Sequence, residues 1–248
     1  MDAEFIDLTP ENIEDEHLCC IIRTKKGHPG IEAKRAWLKE RLSEGHVFRK
    51  LNVKGCAFIE YAPLEAAWVP VVGDNFYYIY CLWVQGEPKG HGYGRTLMES
   101  CIEDARARQV GRVYARRGEA EGVAVRPELC EEVRLHGGGR TDNGYELLAL
   151  SFDGSIPRFA AGAKQMTVDA KGLTGYYDLQ CPYIPQRVEK LREHCDSNGI
   201  PAEFILVDSL EKAKALPCVF NNWAVFYDGK FVTVNQIDAA MLEKLIKR

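Results

Sequence analysis

No apolar run in this chain of 248 residues approaches the roughly 18–20 residues that cross a bilayer, so no membrane partner is expected. The opening Met1-Asp2-Ala3-Glu4 is acidic where a secretory leader is basic and then apolar, and a cytoplasmic protein is the expectation. There is no CxxC and no Cys/His zinc spacing. Nine cysteines, an odd number without regular spacing and with Cys19 and Cys20 adjacent, do not read as a disulfide framework. Most should be small buried hydrophobes, and no metal is expected. Positive charge is also in short supply: 32 Lys and Arg face 36 Asp and Glu, a formal net charge of −4. A nucleic-acid binder needs a cationic face for phosphates, so that partner class is set aside.

What is present is an ordinary globular composition, 46% hydrophobic and 27% charged, long enough for one large domain or two modest ones. Thr9-Pro10 reads as a helix start, with Thr as N-cap and Pro in the first turn. Ile31, Trp37, Leu38 and Leu42 lie near one face of a helix over 31–42, which Gly45 ends. Strands are expected over 47–52 and 56–61 around a Gly-containing turn, with a third extended piece over 66–72. Residues 76–84 (FYYIYCLWV) are aromatic and β-branched without charge, the pattern of a central strand buried on both faces. After a Gly-rich turn, Leu97, Met98, Cys101, Ile102 and Ala105 mark one face of a helix over 96–106.

Periodicity resumes with a strand over 145–152, and 153–163 (DGSIPRFAAGA) reads as a linker. A strand over 173–179, a helix over 184–195, a strand over 202–207 and a short helix over 210–215 follow. A hairpin of 223–227 and 230–234 around Asp228-Gly229 and a helix over 237–247 complete a small second α/β domain. The expected division is 1–152, a linker over 153–163, and 164–248.

A buried strand running into Lys89-Gly90-His91-Gly92-Tyr93-Gly94-Arg95 and then a helix is a phosphate-binding arrangement. Glycines let the backbone come close, and N–H groups at the helix start face the anion. The Walker pattern fails because His91 stands five residues past Gly86, where a glycine is required. The dinucleotide fingerprint fails because Arg95 or Leu97 fills its last glycine position.

The run resembles instead the loop of GNAT (GCN5-related) N-acetyltransferases, Arg/Gln-x-x-Gly-x-Gly/Ala, with Lys89 in the first position. The resemblance covers roughly residues 1–152 and is strongest over 76–108. It implies an α/β (α+β) fold with a mixed, mostly antiparallel sheet and flanking helices. It also implies transfer of an acetyl or other acyl group from acetyl-CoA to an amine by direct attack on the thioester. On that resemblance Leu82, Trp83 and Val84 pair with pantetheine and supply oxyanion donors, while Lys89, Gly90, His91, Gly92, Tyr93, Gly94 and Arg95 hold the pyrophosphate. Glu60 is the candidate base, acting directly or through water, with a surface strand carboxylate as its plainer reading. The acceptor is a small-molecule or peptide amine that nothing in the sequence names. A non-catalytic acyl-CoA-binding protein is an alternative.

The C-terminal part resembles the domain that follows the GNAT domain in YoaP-like proteins and has a thioredoxin-like outline. Cys181-Pro182-Tyr183-Ile184 stands at a helix N-terminus after a strand, where a thiol is expected to have a depressed pKa. Ile184 occupies the place of a second motif cysteine, so a two-cysteine cycle is not expected. A single-thiol module acting through Cys181 is the remaining functional reading.

One stretch breaks the pattern. Residues 103–144 contain no Phe, Ile, Trp, Met or Lys, and 8 of the chain's 17 arginines fall between Arg106 and Arg140. The GNAT resemblance calls here for a strand, an amphipathic helix and a Tyr-Gly-Phe-like turn. It also calls for a tyrosine in that helix to protonate the leaving thiolate, for which Tyr114 is a poor substitute. A disordered, arginine-rich insertion is one reading. The other comes from the genetic code: permitted codons for Glu119–Arg140, read one base later, give a helical pattern, Tyr-Gly-Phe and a β-branched strand start. Sequencing codons 108–142 is expected to find a compensated pair of frame changes, in the gene or its sequencing, that leaves Thr141 onward in frame. A single uninterrupted frame confirmed across those codons would end that hypothesis.

Overall fold

The computed structural model describes residues 4–21, 28–117 and 136–247. The chain divides into two compact units, one of Met1–Gly27, Arg35–Ala67 and Val71–Phe159, the other of His28–Lys34, Trp68–Pro70 and Ala160–Arg248. In chain order, the elements up to residue 159 are β1 (Phe5–Asp7), α1 (Pro29–Leu42), β2 (Val47–Leu51), β3 (Cys56–Pro63) and β4 (Val71–Val72). Then come β5 (Phe76–Gln85), α2 (Tyr93–Ala107), β6 (Gly111–Arg117), β7 (His136–Arg140), β8 (Tyr145–Leu150) and β9 (Arg158–Phe159).

The first unit is built on a seven-stranded sheet in the order β1-β2-β3-β5-β6-β8-β7. Its pairs are antiparallel except β5 with β6. This is the mixed, mostly antiparallel sheet the sequence led us to expect. Helix α2 lays Leu97, Met98, Cys101, Ile102 and Ala105 onto Ala57, Ile59 and Tyr61 of β3 and Tyr77, Ile79 and Leu82 of β5. Each large side chain buried this way contributes about 1.5–3 kcal/mol.

The β3–β5 ladder matches Glu60 with Cys81 and Tyr61 with Ile79, so the register shifts past Tyr80. Such a bulge changes which face the following side chains take. Tyr77 and Ile79 pack toward α2 before it, and Leu82 and Val84 do so after it. Tyr78 and Tyr80 meet edge to face, 5.2 Å between ring centroids, and Tyr80 also meets Trp37 of α1 at 6.3 Å. A charged clasp ties this sheet together: Arg49 of β2 donates to both oxygens of Asp7 in β1 at 2.6 and 2.8 Å, and pairs with Asp104 of α2 at 3.2 Å.

Two local expectations are corrected. Thr9-Pro10 opens a turn and not a helix. The capping bonds are nonetheless present: Thr9 Oγ1 accepts from the Glu11 N–H at 3.3 Å, and Asn12 Oδ1 accepts from the Thr9 N–H at 2.8 Å. The Thr9 carbonyl also accepts from the Ile13 N–H at 3.0 Å, but the turn is not extended into a helix. Of residues 66–72 only Val71–Val72 is extended, and it pairs with β9, apart from the main sheet. His136-Gly137-Gly138-Gly139-Arg140 forms edge strand β7 with a bulge against β8, although glycine is depleted in strands. The arginine-rich stretch from 118 to 135, and with it the proposed helix and turn, lies outside the described residues.

The second unit contains β10 (Leu173–Tyr177), α3 (Ile184–Ser197), β11 (Ala202–Leu206), α4 (Leu210–Lys214), β12 (Trp223–Tyr227), β13 (Lys230–Thr233) and α5 (Ala239–Ile246). The sheet order is β11-β10-β12-β13, with β10–β11 parallel and the remaining pairs antiparallel. That is the thioredoxin-like outline expected from the sequence. Ile184, Val188, Leu191 and Cys195 recur at helical spacing along α3 and share a core with Leu173, Trp223, Val225 and Leu242. Ser209 and Asp238 cap α4 and α5, accepting from Lys212 and Met241 N–H at 3.2 and 2.9 Å. Among the described residues no helix is long and apolar enough to cross a membrane.

Gly111 shows how closely β6 is held where it starts. A Cβ there would lie 2.4 Å from Phe76 Cε1 and 2.7 Å from the Leu150 carbonyl oxygen. Gly111→Ala is therefore expected to cost about 1–3 kcal/mol, read from the denaturant midpoint. Gly94→Ala is the control, since its Cβ would meet only Val84 at 3.9 Å. Equal stability of the two variants would mean that β6 does not pack as described.

Candidate active site

β5 and β6 part early. They pair over Phe76↔Gly111, Tyr77↔Arg112 and Tyr78↔Val113, after which only the β3–β5 ladder continues, as far as Gln85. Successive strand residues turn their N–H and C=O groups to alternate sides. Some backbone groups of Leu82–Val84 therefore face the side from which β6 has diverged. Leu82 and Val84 send their side chains toward α2. Trp83 is 40% exposed, and its Nε1 donates to Gln85 Oε1 at 3.1 Å.

The loop after β5 delivers the chain to the α2 N-terminus through glycines at positive φ. Gly92 is the N-cap, with φ 78 and no capping side chain. A side-chain-bearing residue rarely adopts that conformation. The Gly92 carbonyl accepts from Arg95 and Thr96 N–H at 2.9 and 3.2 Å, so the N–H groups of Gly92, Tyr93 and Gly94 precede the helical ladder. The first turn carries no acidic residue. Lys89, Gly90, His91 and Arg95 are exposed, and the His91 and Tyr93 rings stack 6.0 Å apart. A Cβ added at Gly86, Gly90 or Gly92 would meet nothing within 4 Å. The loop is nevertheless anchored, because Pro88 is buried and a Cβ on Gly55 would fall 2.5 Å from its Cδ. An open, approachable helix end with two nearby cations fits a diphosphate.

Glu60 lies wholly inside the first unit, which removes its reading as a surface carboxylate. Its Oε1 is 3.0 Å from Nε2 of His46, which is also buried. The His46 ring stands edge-on to Trp37 at 5.2 Å and tilted against Tyr80 at 5.2 Å. Sequence reasoning missed His46. Its signal exists only once the β2–β3 register is known, with Val47 opposite Tyr61 and Phe48 opposite Glu60.

In the second unit Cys181 precedes α3, and its Sγ accepts from Gln236 Nε2 at 3.3 Å and from the Tyr183 N–H. Lys34 and Asp178, both buried, are its charged neighbours. Burial nevertheless raises the thiol above its ordinary value, outweighing the two donors and the Lys34 ammonium. The expected depressed pKa is corrected accordingly.

The loop and strand geometry agree with what comparison of the chain finds. The GNAT acetyltransferase family model matches residues 11–128, and a YoaP-like model matches residues 201–244. The uncharacterized N-acetyltransferase YoaP of Bacillus subtilis (strain 168) is 35% identical over 249 residues, covering 98% of each chain. This chain belongs to the GNAT acetyltransferase family, with a YoaP-like C-terminal domain.

Solved structures similar to it include a candidate GNAT-family acetyltransferase from Desulfovibrio desulfuricans, 15% identical, covering 60% of this chain and 98% of that one at a TM-score of 0.42. Another is yncA from Salmonella typhimurium with its cofactor acetyl-CoA, 13% identical, covering 62% and 95% at a TM-score of 0.42. In this GNAT chain the described part of the arginine-rich stretch supplies strand β6, and the helix expected to follow it lies outside the described residues. Among the described residues no group of three or more His, Cys, Asp or Glu could hold a metal ion.

A raised pKa leaves Cys181 a neutral thiol at neutral pH, so iodoacetamide should label it slowly there. The rate should climb only above about pH 9, the ordinary value from which burial moves it upward. Fast labelling of Cys181 at pH 7, abolished by Cys181→Ser, would show that the helix end and its donors outweigh burial.

Proposed function

We propose that this protein transfers an acetyl group from acetyl-CoA to an amine by direct attack of the amine nitrogen on the thioester carbonyl. The observation that carries the reading is the bare α2 N-terminus, opened by Gly92 beside the gap between β5 and β6. Backbone N–H groups of Gly92, Tyr93 and Gly94, with Lys89 and Arg95, would hold the pyrophosphate, and Gly90 and His91 would line its path. The edge of β5 over Leu82–Val84 would bond pantetheine and donate to the carbonyl oxygen as it gains charge. As the N–C bond forms, the C–S bond breaks, CoA leaves as the thiolate and the amine loses a proton. Glu60, reached through His46 or a water because its carboxylate is buried, is our assignment for that proton. The acceptor is a small-molecule or peptide amine, and the active protein is expected in the cytoplasm.

Gly94→Val tests the loop. A valine side chain would enter open space bounded by Val84 without strained backbone, so the fold should survive while calorimetric affinity for acetyl-CoA falls by more than about tenfold. Lys89→Ala should lose less, because Lys89 is exposed and salt screens its charge. Unchanged affinity in folded Gly94→Val would remove the phosphate-loop assignment. Acetyl transfer to a panel of amines separates an enzyme from an acyl-CoA binder. Glu60→Gln should lower kcat in protein that still binds acetyl-CoA; unaltered kcat would take Glu60 out of the mechanism.

The second unit supports a separate reading, a single-thiol module, on the observation that two N–H donors converge on Cys181 Sγ. Mixed-disulfide formation with a small disulfide that Cys181→Ser abolishes would support it.

A further inference from the structure

The turn between β2 and β3 brings a third thiol to the adjacent pair Cys19 and Cys20. Cys56, the first residue of β3, is fully buried, and its Sγ donates to the Cys19 carbonyl at 3.8 Å. Cys19 is buried too, and its own Sγ points to the Ile21 carbonyl at 3.8 Å. Cys20 is partly exposed. Burial pushes the Cys56 thiol up to about 12, with Cys20 and then Cys19 as the neighbouring thiols that add to the effect, while Lys50 opposes it. The polar rim consists of Lys50, ion-paired with Glu16, and His17, which burial and Lys50 push down to about 4.

This cluster lies behind the candidate phosphate loop. Cys56 pairs with Gln85, the last residue of β5. Gly55 abuts buried Pro88, and Lys54 pairs with Glu87 at 3.5 Å. Residues 54–56 therefore grip residues 85–88, from which the chain enters Lys89–Arg95. A shift of Cys56 along or out of its ladder would move the base of the loop.

We propose that Cys20 and Cys56 form a hydroperoxide-sensitive thiol site whose disulfide distorts the loop that binds acyl-CoA. The exposed member reacts first. Cys20 sulfur attacks the peroxide, the O–O bond breaks, and Cys20 sulfenic acid and one water form. Cys56 sulfur then attacks Cys20 sulfur, and the S–O bond breaks as the S–S bond forms. The departing hydroxide takes the Cys56 proton as a second water. Two thiols are oxidised by two electrons, and one peroxide is reduced to two waters. Cys19 is the poorer partner for Cys20, because adjacent α-carbons are about 3.8 Å apart, short of the usual disulfide span of about 4.4–6.8 Å. The high thiol pKa of Cys56 makes the second step slow, and the site reports sustained oxidant.

The coupling to acyl-CoA rests on the proposed acyltransferase reading, and the experiment separates the two. The full-length protein is treated with hydrogen peroxide, digested without reductant and mapped by mass spectrometry, with acetyl-CoA affinity measured by calorimetry before treatment, after it, and after dithiothreitol. The expected result is a Cys20–Cys56 linked peptide and an affinity about tenfold lower, restored by dithiothreitol. Cys20→Ser should remove the linkage and the affinity change together. Cys56→Ala, a packing-tolerant second variant, should do the same. Absence of the linked peptide, or a linked protein with unchanged affinity, overturns the proposal. Reduced protein that binds no acetyl-CoA overturns the coupling through the acyltransferase reading, while the peptide map still decides the thiol site.

Discussion

β5 pairs with β3 from Tyr77 to Gln85, interrupted only at Tyr80, but pairs with β6 at only three positions. The first unit depends on this imbalance. The β3 partnership fixes β5 as a buried strand, and the bulge at Tyr80 directs Leu82 and Val84 toward α2. The early end of the β6 partnership opens the gap beside Leu82–Val84. Gly111 keeps the two strands close at their shared start, because no side chain fits between Phe76 and the Leu150 carbonyl. Tight pairing at one end and separation at the other leave backbone donors beside a glycine-opened helix end. The chemistry proposed for the site needs that arrangement more than it needs any one side chain.

The elements legible in the sequence are those in which one physical signal dominated. The uncharged aromatic run became β5, and helix-spaced Leu97, Met98, Cys101, Ile102 and Ala105 became the buried face of α2. In the second unit Asp228-Gly229 closes the β12–β13 hairpin with both residues at positive φ, as its turn signal indicated. Elements were missed where tertiary pairing overrode local preference. The glycines of β7 have poor strand propensity, and they are extended because β8 supplies a ladder for them. The Thr9 cap forms as its sequence indicated, yet only a turn follows, because a cap satisfies the first N–H groups without supplying the packing that extends a helix.

The candidate site shows the same division. Its loop was readable because glycine spacing encodes backbone conformation, and a conformation at Gly92 is what the helix end requires. Glu60 was readable as a carboxylate on the right strand but not as a buried one. A lone acid on a strand gives no sign of which face it takes, and the Tyr80 bulge makes alternation unreliable across the sheet. His46 gains meaning only from the fold, which sets it against Glu60, Trp37 and Tyr80. A carboxylate deprived of water costs several kcal/mol unless it is hydrogen-bonded. His46 answers that need whatever further role Glu60 has. Its presence is thus explained first by stability and only then by catalysis.

Cys181 illustrates why a motif position does not determine chemistry. A helix N-terminus favours a thiolate, and the Tyr183 N–H, Gln236 and Lys34 all add to that preference. Against them stand the loss of hydration and the carboxylate of Asp178, and burial is the largest of these effects. The donors that meet the sulfur are fixed by the fold before any reaction. If a bound partner's base took the proton, the same donors would strengthen as charge developed on the sulfur, at no cost in reorganisation. A neutral, slow thiol in the resting protein is therefore compatible with a reactive one in a complex. The distinction lies in whether a bound partner brings a base to the thiol, because the thiolate is the nucleophile.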